Sequence, residues 1–392
     1  MAFDNPVALL ALFALSAAFA GAWARRSAFY RKILKEESDQ RFVCIDGLRG
    51  FLALGVLASH SANIHSHHAT GVWDPGIAHI YELAGEIGVS LFFMITAFLF
   101  WQRALRGTLE PASFYASRLR RLVPMYAASV IVVLAIVAIL TGFQLREPPL
   151  ALAKELRAWW SFGFVPTGGL NGVPYAHHIN AVYWTLAYEW SFYIALPFLA
   201  LFARSAWWVL VFAVAALYAQ QAPIVLHFIS GAIAAVVVQS GALRGHLRSP
   251  LAALAGGIAL ASVFLLPTAF GLAPSLLLLV FFLCVVHGNS FFGALNGTGA
   301  RMLGLVSYSV YLLHCIVLFL LVHGLDAFFG VRSLGAAQYW LVVALAAAIT
   351  VAISAFTYRW IEHPFLSGAA LPGLTFAGRS PKTYRSPAPT AQ

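Results

Sequence analysis

Charge is scarce in this sequence: only 10% of its 392 residues are Asp, Glu, Lys or Arg. Soluble domains carry about 25%. That scarcity, with 61% hydrophobic residues and a mean hydropathy of +0.82, excludes a soluble globular chain. Cysteine is nearly as rare. Cys44, Cys284 and Cys315 share no motif spacing and lie in or beside apolar runs. They read as buried thiols, not as a disulfide framework or a metal-ligand set. No zinc-type spacing, phosphate-binding Walker loop, dinucleotide fingerprint or Gly-x-Ser-x-Gly elbow stands in the right context. Soluble-looking blocks of domain size are also missing, so one membrane domain is expected.

What is present is a series of long apolar runs. They predict an all-α polytopic membrane protein with about eleven transmembrane helices, near 6–23, 46–66, 84–102, 122–142, 180–203, 206–221, 223–240, 250–267, 272–289, 303–323 and 338–359. Residues 1–40 form an extra N-terminal span and basic loop, 41–366 the core, and 367–392 a Pro-, Ser- and Gly-rich disordered tail. The first run has no basic region before it, so it reads as a span and not a signal peptide. Between 143 and 179 lies the longest loop, with a short interfacial helix over 152–160.

The net charge of +10 is not a nucleic-acid signature, because the cations sit in short loops between apolar runs. With the loop 25–41 placed in the cytoplasm, 20 of the 24 Lys and Arg fall on that side, leaving Arg146, Lys154, Arg157 and Arg332 outside. That bias sets the N-terminus outside and the C-terminus inside.

Polar residues inside the spans are the candidate site. Arg49 and His60 are eleven residues apart, about three helical turns, so they share one face. Asn63 and His67 continue that face outward. Histidine suits proton transfer, and arginine suits a phosphate or carboxylate partner. A snorkelling arginine with a core histidine is the bland alternative. Arg118 and Arg121 are neighbours at i, i+3 and read either as a topology anchor or as a polyphosphate clamp. Glu189 lies deep in its span with nothing in its own helix to pair with it. It orients His60, binds the acceptor or holds Arg49. Ser307, Tyr311 and His314 form a second stripe, catalytic or merely a helix–helix contact. Arg359 and Glu362 read as an ordinary helix-terminal ion pair.

Asp46-Gly-Leu-Arg49-Gly, His60, Gly88 to Phe98, Arg118-Leu-Arg-Arg-Leu-Val-Pro124, Trp184-Thr-Leu-Ala-Tyr-Glu189, Ser307-Tyr-Ser-Val-Tyr-Leu-Leu-His314 and Glu362-His-Pro364 occur in the order seen in the acyltransferase 3 family. The chain resembles that family over about 41–366. The resemblance implies an integral-membrane O-acyltransferase with a ten-helix core that uses acyl-CoA. It maps a catalytic histidine motif onto Arg49 and His60, an acyl-CoA-side motif onto Arg118 and Arg121, and a third segment onto Trp184, Thr185 and Glu189. The pattern Phe-x-x-Ser-Gly-Phe departs here to Phe93-Met-Ile-Thr96-Ala97-Phe98. No hydrolase-like domain follows the core.

The expected function is therefore O-acyl transfer, most simply O-acetyl transfer, from cytoplasmic acetyl-CoA or another acyl-CoA. The acceptor is a hydroxyl of a surface polysaccharide or lipid-linked glycan, at the bacterial cytoplasmic membrane. His60, Glu189 and Arg49 would be catalytic, and Arg49, Arg118 and Arg121 would hold the coenzyme. Asn63, His67, Trp184, Thr185, Tyr311 and His314 would face the acceptor, with no metal and no nucleic acid. A proton-coupled transporter, or a non-catalytic glycan-export partner, is the competing expectation.

Overall fold

The computed structural model describes residues 4–36, 42–73, 78–203, 205, 222–331 and 334–368. The expected span at 206–221 and the expected tail beyond Gly368 lie outside the described residues. Within them the chain is helical, with no strand. The N-terminal half runs α1 (Pro6–Arg26), α2 (Ala28–Glu36), α3 (Val43–Thr70), α4 (His79–Leu105), α5 (Pro111–Leu140), α6 (Pro149–Trp159) and α7 (Trp184–Ala200). The rest runs α8 (Val225–Ser240), α9 (Pro250–Val263), α10 (Leu272–Val286), α11 (Thr298–Leu305), α12 (Ser307–Phe329) and α13 (Ala336–Thr357), then a π-helical turn (Tyr358–Glu362) and α14 (His363–Leu366).

Six helical stretches are long and apolar enough to cross a membrane: α1, α3, α4, α5, α12, and α13 continued to Leu366. The protein is an integral membrane protein. The helices α8, α9 and α10 are apolar but shorter. At 1.5 Å per residue they cover about 21–24 Å, less than a hydrocarbon core of about 30 Å. Among the described residues six helices are thus long and apolar enough to cross, and the expected count of about eleven is not confirmed.

The reasons lie in the glycines and prolines of the expected spans. After α9 the chain turns at Pro267 and at Gly271, whose φ of 136° suits glycine alone. Irregular backbone at membrane depth must be satisfied by protein. Here the Glu86 carboxylate accepts from Thr268 Oγ1 at 2.7 Å and from the Ala269 amide at 2.6 Å. The expected span 303–323 is also broken. Val306 separates α11 from α12. By contrast α5 starts earlier than the apolar run, so Arg118 and Arg121 sit inside a helix and not at its end.

Without a hydrophobic drive between helices, close backbone contact holds a membrane bundle together. A Cβ added at Gly304 would lie 1.7 Å from the Asp46 carbonyl oxygen, and one at Gly47 would lie 1.9 Å from that of Leu295. These glycines press α11 and the segment before it onto the first turn of α3. Between α3 and α4, a Cβ at Gly85 would come within 2.5 Å of the Ser59 side chain. The helix α3 is therefore clamped at both the Arg49 and the His60 ends. The N-terminal α1 packs beside α11 and α13. Its start is tied to α4, where Asp4 Oδ1 accepts from the Ile80 amide at 2.8 Å and Tyr81 donates to the Asn5 carbonyl at 2.6 Å.

Candidate active site

Two chambers lie along α3. The larger, about 550 Å³, is lined by Asp46, Arg49, Thr96, Arg103, Arg106, Arg118, Arg121, Thr185, Glu189, Tyr193, Ser307, Tyr308 and Tyr311 among others. Arg103 and Arg106 are exposed, so it opens at this end of the bundle. The smaller, about 320 Å³, is lined by Ser59, His60, Asn63, Trp73, Glu82, Glu86, Trp184 and Phe270 with neighbours. Val89 and Tyr311 line both and form the wall between them. The eleven-residue register of Arg49 and His60 thus puts one side chain in each chamber, about 16 Å of helix apart.

The larger chamber gathers five guanidinium groups from three helices, α3, α4 and α5. Among the described residues no carboxylate lies within 4 Å of any of them; the ion pairs there are Lys32–Glu36 and His68–Asp326. Five cations against the two carboxylates of Asp46 and Glu189 leave the chamber lining with an excess of positive charge, which suits a multiply charged anion. Arg118 is held over the Phe100 ring at 4.8 Å, and its guanidinium donates to Ser117 Oγ at 3.4 Å. The α11–α12 break adds to the anion character. Ser307 begins α12 at the chamber wall, and the first-turn N–H groups of a helix have no intrahelical partner. The Ser307 Oγ is buried there without a hydrogen-bond partner.

Glu189 enters this chamber too, but its pairing differs from the sequence expectation. Tyr193, one turn along the same helix, donates to its Oε1. Glu189 lines Arg49's chamber, and among the described residues it makes no hydrogen bond to His60. Thr96 lines the chamber although the following glycine is replaced by Ala97. Thr185 and Tyr311 join hydroxyls at 2.7 Å across the wall.

In the smaller chamber His60, Asn63 and Trp184 meet as the sequence suggests. His67 lines neither chamber. It packs at 4.6 Å against the His178 ring, which stacks at 4.0 Å on Trp73. Burial, with His177 and His67 beside it, pushes the pKa of His178 down to about 3. His314 also lines neither chamber. It lies fully buried behind His60, with 3.1 Å between His314 Nε2 and His60 Nδ1. His60, His314 and Cys315 bring donor atoms within 4.8 Å of one another, the grouping among the described residues that comes nearest to a metal set. His60 Nδ1 is 3.0 Å from the Val56 carbonyl oxygen, which only accepts, so that nitrogen carries a proton and is a poor ligand.

Sequence reasoning missed Glu82 and Glu86. Their i, i+4 spacing was the available signal, but the apolar run of α4 starts only after Glu82. Glu362 was misread. It does not pair with Arg359, which lies over the Phe29 and Trp360 rings. The π-turn carries Glu362 inward, where Ser309 donates to it.

The sequence signature described as an acyltransferase domain matches residues 42–359, four-fifths of the chain and all of the lining of both chambers except Leu366. The chain belongs to the acyltransferase 3 family. This acyltransferase is similar to the exopolysaccharide production protein ExoZ of Rhizobium meliloti (strain 1021). The two are 29% identical over 282 residues, covering 65% of this chain and 79% of the relative. It is also similar to protein 2 in the picA locus of Rhizobium radiobacter, 24% identical over 177 residues, 44% of this chain and 85% of that protein. No solved structure matches. Membership makes the chain an enzyme of acyl transfer.

Proposed function

We propose that the enzyme moves an acyl group, most simply acetyl, from cytoplasmic acyl-CoA to a hydroxyl of a surface polysaccharide or its lipid-linked precursor. The observation that carries this reading is the pair of chambers meeting at Val89 and Tyr311, five arginines in one and His60 in the other. Coenzyme A carries its charge on phosphates and its reactive thioester on a long neutral arm. The phosphates suit Arg118, Arg121, Arg103 and Arg106, and Arg49 guides the arm toward the wall. In this reading the arginine end faces the cytoplasm, the N-terminus lies outside and the C-terminus inside, at a bacterial inner membrane.

The smaller chamber would hold the acceptor. Carboxylates and indole rings suit a sugar, the first through hydroxyl hydrogen bonds and the second through its apolar faces; Glu82, Glu86, Trp73, Trp184 and Asn63 supply both. The names of the exopolysaccharide relative and the charge bias support the same assignment. His60 takes the acceptor proton on Nε2 as the hydroxyl oxygen attacks the thioester carbonyl. The carbon–sulfur bond breaks, and the leaving thiolate recovers a proton. The wall favours a second version, in which His60 Nε2 briefly carries the acyl group between chambers.

Labelled acetyl-CoA supplied to membranes containing the protein tests the reading. Label is expected in a glycan fraction, and His60→Ala at equal expression abolishes it. Retained transfer by His60→Ala removes the mechanism. Substrate flux that needs no acyl-CoA and tolerates Arg118→Ala supports a transporter instead.

A further inference from the structure

The wiring of the two imidazoles carries an inference about how the base is set. A ring nitrogen close to a backbone carbonyl oxygen must bear hydrogen, because the oxygen only accepts. His314 Nδ1 lies 3.1 Å from the Val310 carbonyl oxygen. His314 is therefore an Nδ1–H imidazole whose Nε2 is an acceptor, with Cys315 Sγ 3.4 Å from it. That acceptor faces His60 Nδ1 at 3.1 Å, and the same Nδ1 lies 3.0 Å from the Val56 carbonyl oxygen. His60 Nδ1–H is thus shared between two acceptors. Its Nε2, left without a hydrogen, takes no hydrogen bond among the described residues, on a side chain that lines the smaller chamber.

We infer that His314 is a positioning residue: through its Nε2 it holds His60 as the Nδ1–H tautomer and aims the Nε2 lone pair at the acceptor. The residue that orients a catalytic histidine is commonly a carboxylate. Here a second histidine on α12, itself fixed by a backbone carbonyl, takes that place. When His60 gains the acceptor proton, its positive charge is met by the His314 lone pair and the Val56 carbonyl. The charged or titratable groups around His60 are His314, Cys315 and Tyr311 on α12 and, lining the same chamber, Glu82 and Glu86 on α4.

The inference rests on the acyl-transfer reading, and the test separates the two. Acyl transfer is measured against pH for the intact protein in proteoliposomes, with His60→Ala, His314→Leu and His314→Gln. His60→Ala without activity upholds the base; activity in that variant overturns the underlying reading. Given an inactive His60→Ala, His314→Leu is expected to lower kcat about 10²-fold. The KM for acyl donor stays within about twofold, and the acid limb of the pH profile moves, because the protonated base has lost an acceptor. His314→Gln, whose amide oxygen can accept from His60 Nδ1, restores at least a tenth of the wild-type kcat. An unchanged kcat and pH profile in His314→Leu overturns the positioning role while leaving the acyl-transfer reading intact. A loss in His314→Leu that His314→Gln repeats in full, with KM and kcat falling together, overturns it as well.

Discussion

Single side chains show what the sequence could and could not display. Arg49, His60, Arg118 and Arg121 are legible because an ionisable group in an apolar run is conspicuous and helical arithmetic fixes its face. His314 is just as conspicuous, yet its partner is 254 positions away, so nothing local distinguishes a residue that meets substrate from one that backs another side chain. The pairing of Glu189 was hidden for the opposite reason. Its partner, Tyr193, is on the same helix, but a tyrosine among eleven tryptophans and 31 phenylalanines reads as packing. At this scale the proposed donor site makes a sharp prediction. Arg118→Ala and Arg121→Ala each raise the KM for acyl-CoA ten- to a hundredfold, the loss of about 1.5–3 kcal/mol expected for a hydrogen bond to a charged group. Arg→Lys at either position recovers only part of this, since the ammonium cannot fork onto two oxygens. Steady-state kinetics over a range of acyl-CoA concentrations checks both.

Helices behave differently. For the described helices existence and order were legible from hydropathy, and α3, α4 and α13 lie where the apolar runs place them, while the run 303–323 is divided between α11 and α12. Their ends were not. Apolar composition continues through Pro267, Gly271 and Gly288, whereas the helices stop at Val263 and Val286, because backbone conformation and not hydrophobicity ends them. The helix pairing was also hidden, since a glycine looks alike in a loop, a cap or a backbone contact. Gly304 is the test. A methyl there would collide with the Asp46 carbonyl, so Gly304→Ala must push α11 off the first turn of α3. We expect a loss on the order of 1–3 kcal/mol, seen as a lower thermal midpoint of the detergent-solubilised protein, together with a raised KM for acyl donor as Arg49 moves. Gly257→Ala, on α9 with nothing within 4 Å of the added methyl, is the control and leaves the midpoint unchanged or slightly higher.

At the scale of the whole molecule, the larger chamber holds five arginines and the smaller holds His60, Trp73 and Trp184, and Val89 and Tyr311 line both. Val89 and Tyr311 do more than divide a cavity. In the proposed reading the coenzyme never leaves the compartment in which it is made, and what traverses the dielectric barrier is an uncharged fragment of a few atoms. Such a passage does no electrical work, because a neutral group gains nothing from a membrane potential that is worth about 2.3 kcal/mol per charge at 100 mV. The free energy of the thioester alone drives the reaction. Collapsing the potential and the proton gradient with ionophores should therefore leave the initial rate of acyl transfer in sealed vesicles unchanged, where a proton-coupled carrier would stop. The enzyme would then be a chemical conduit that exports activation and keeps its currency at home.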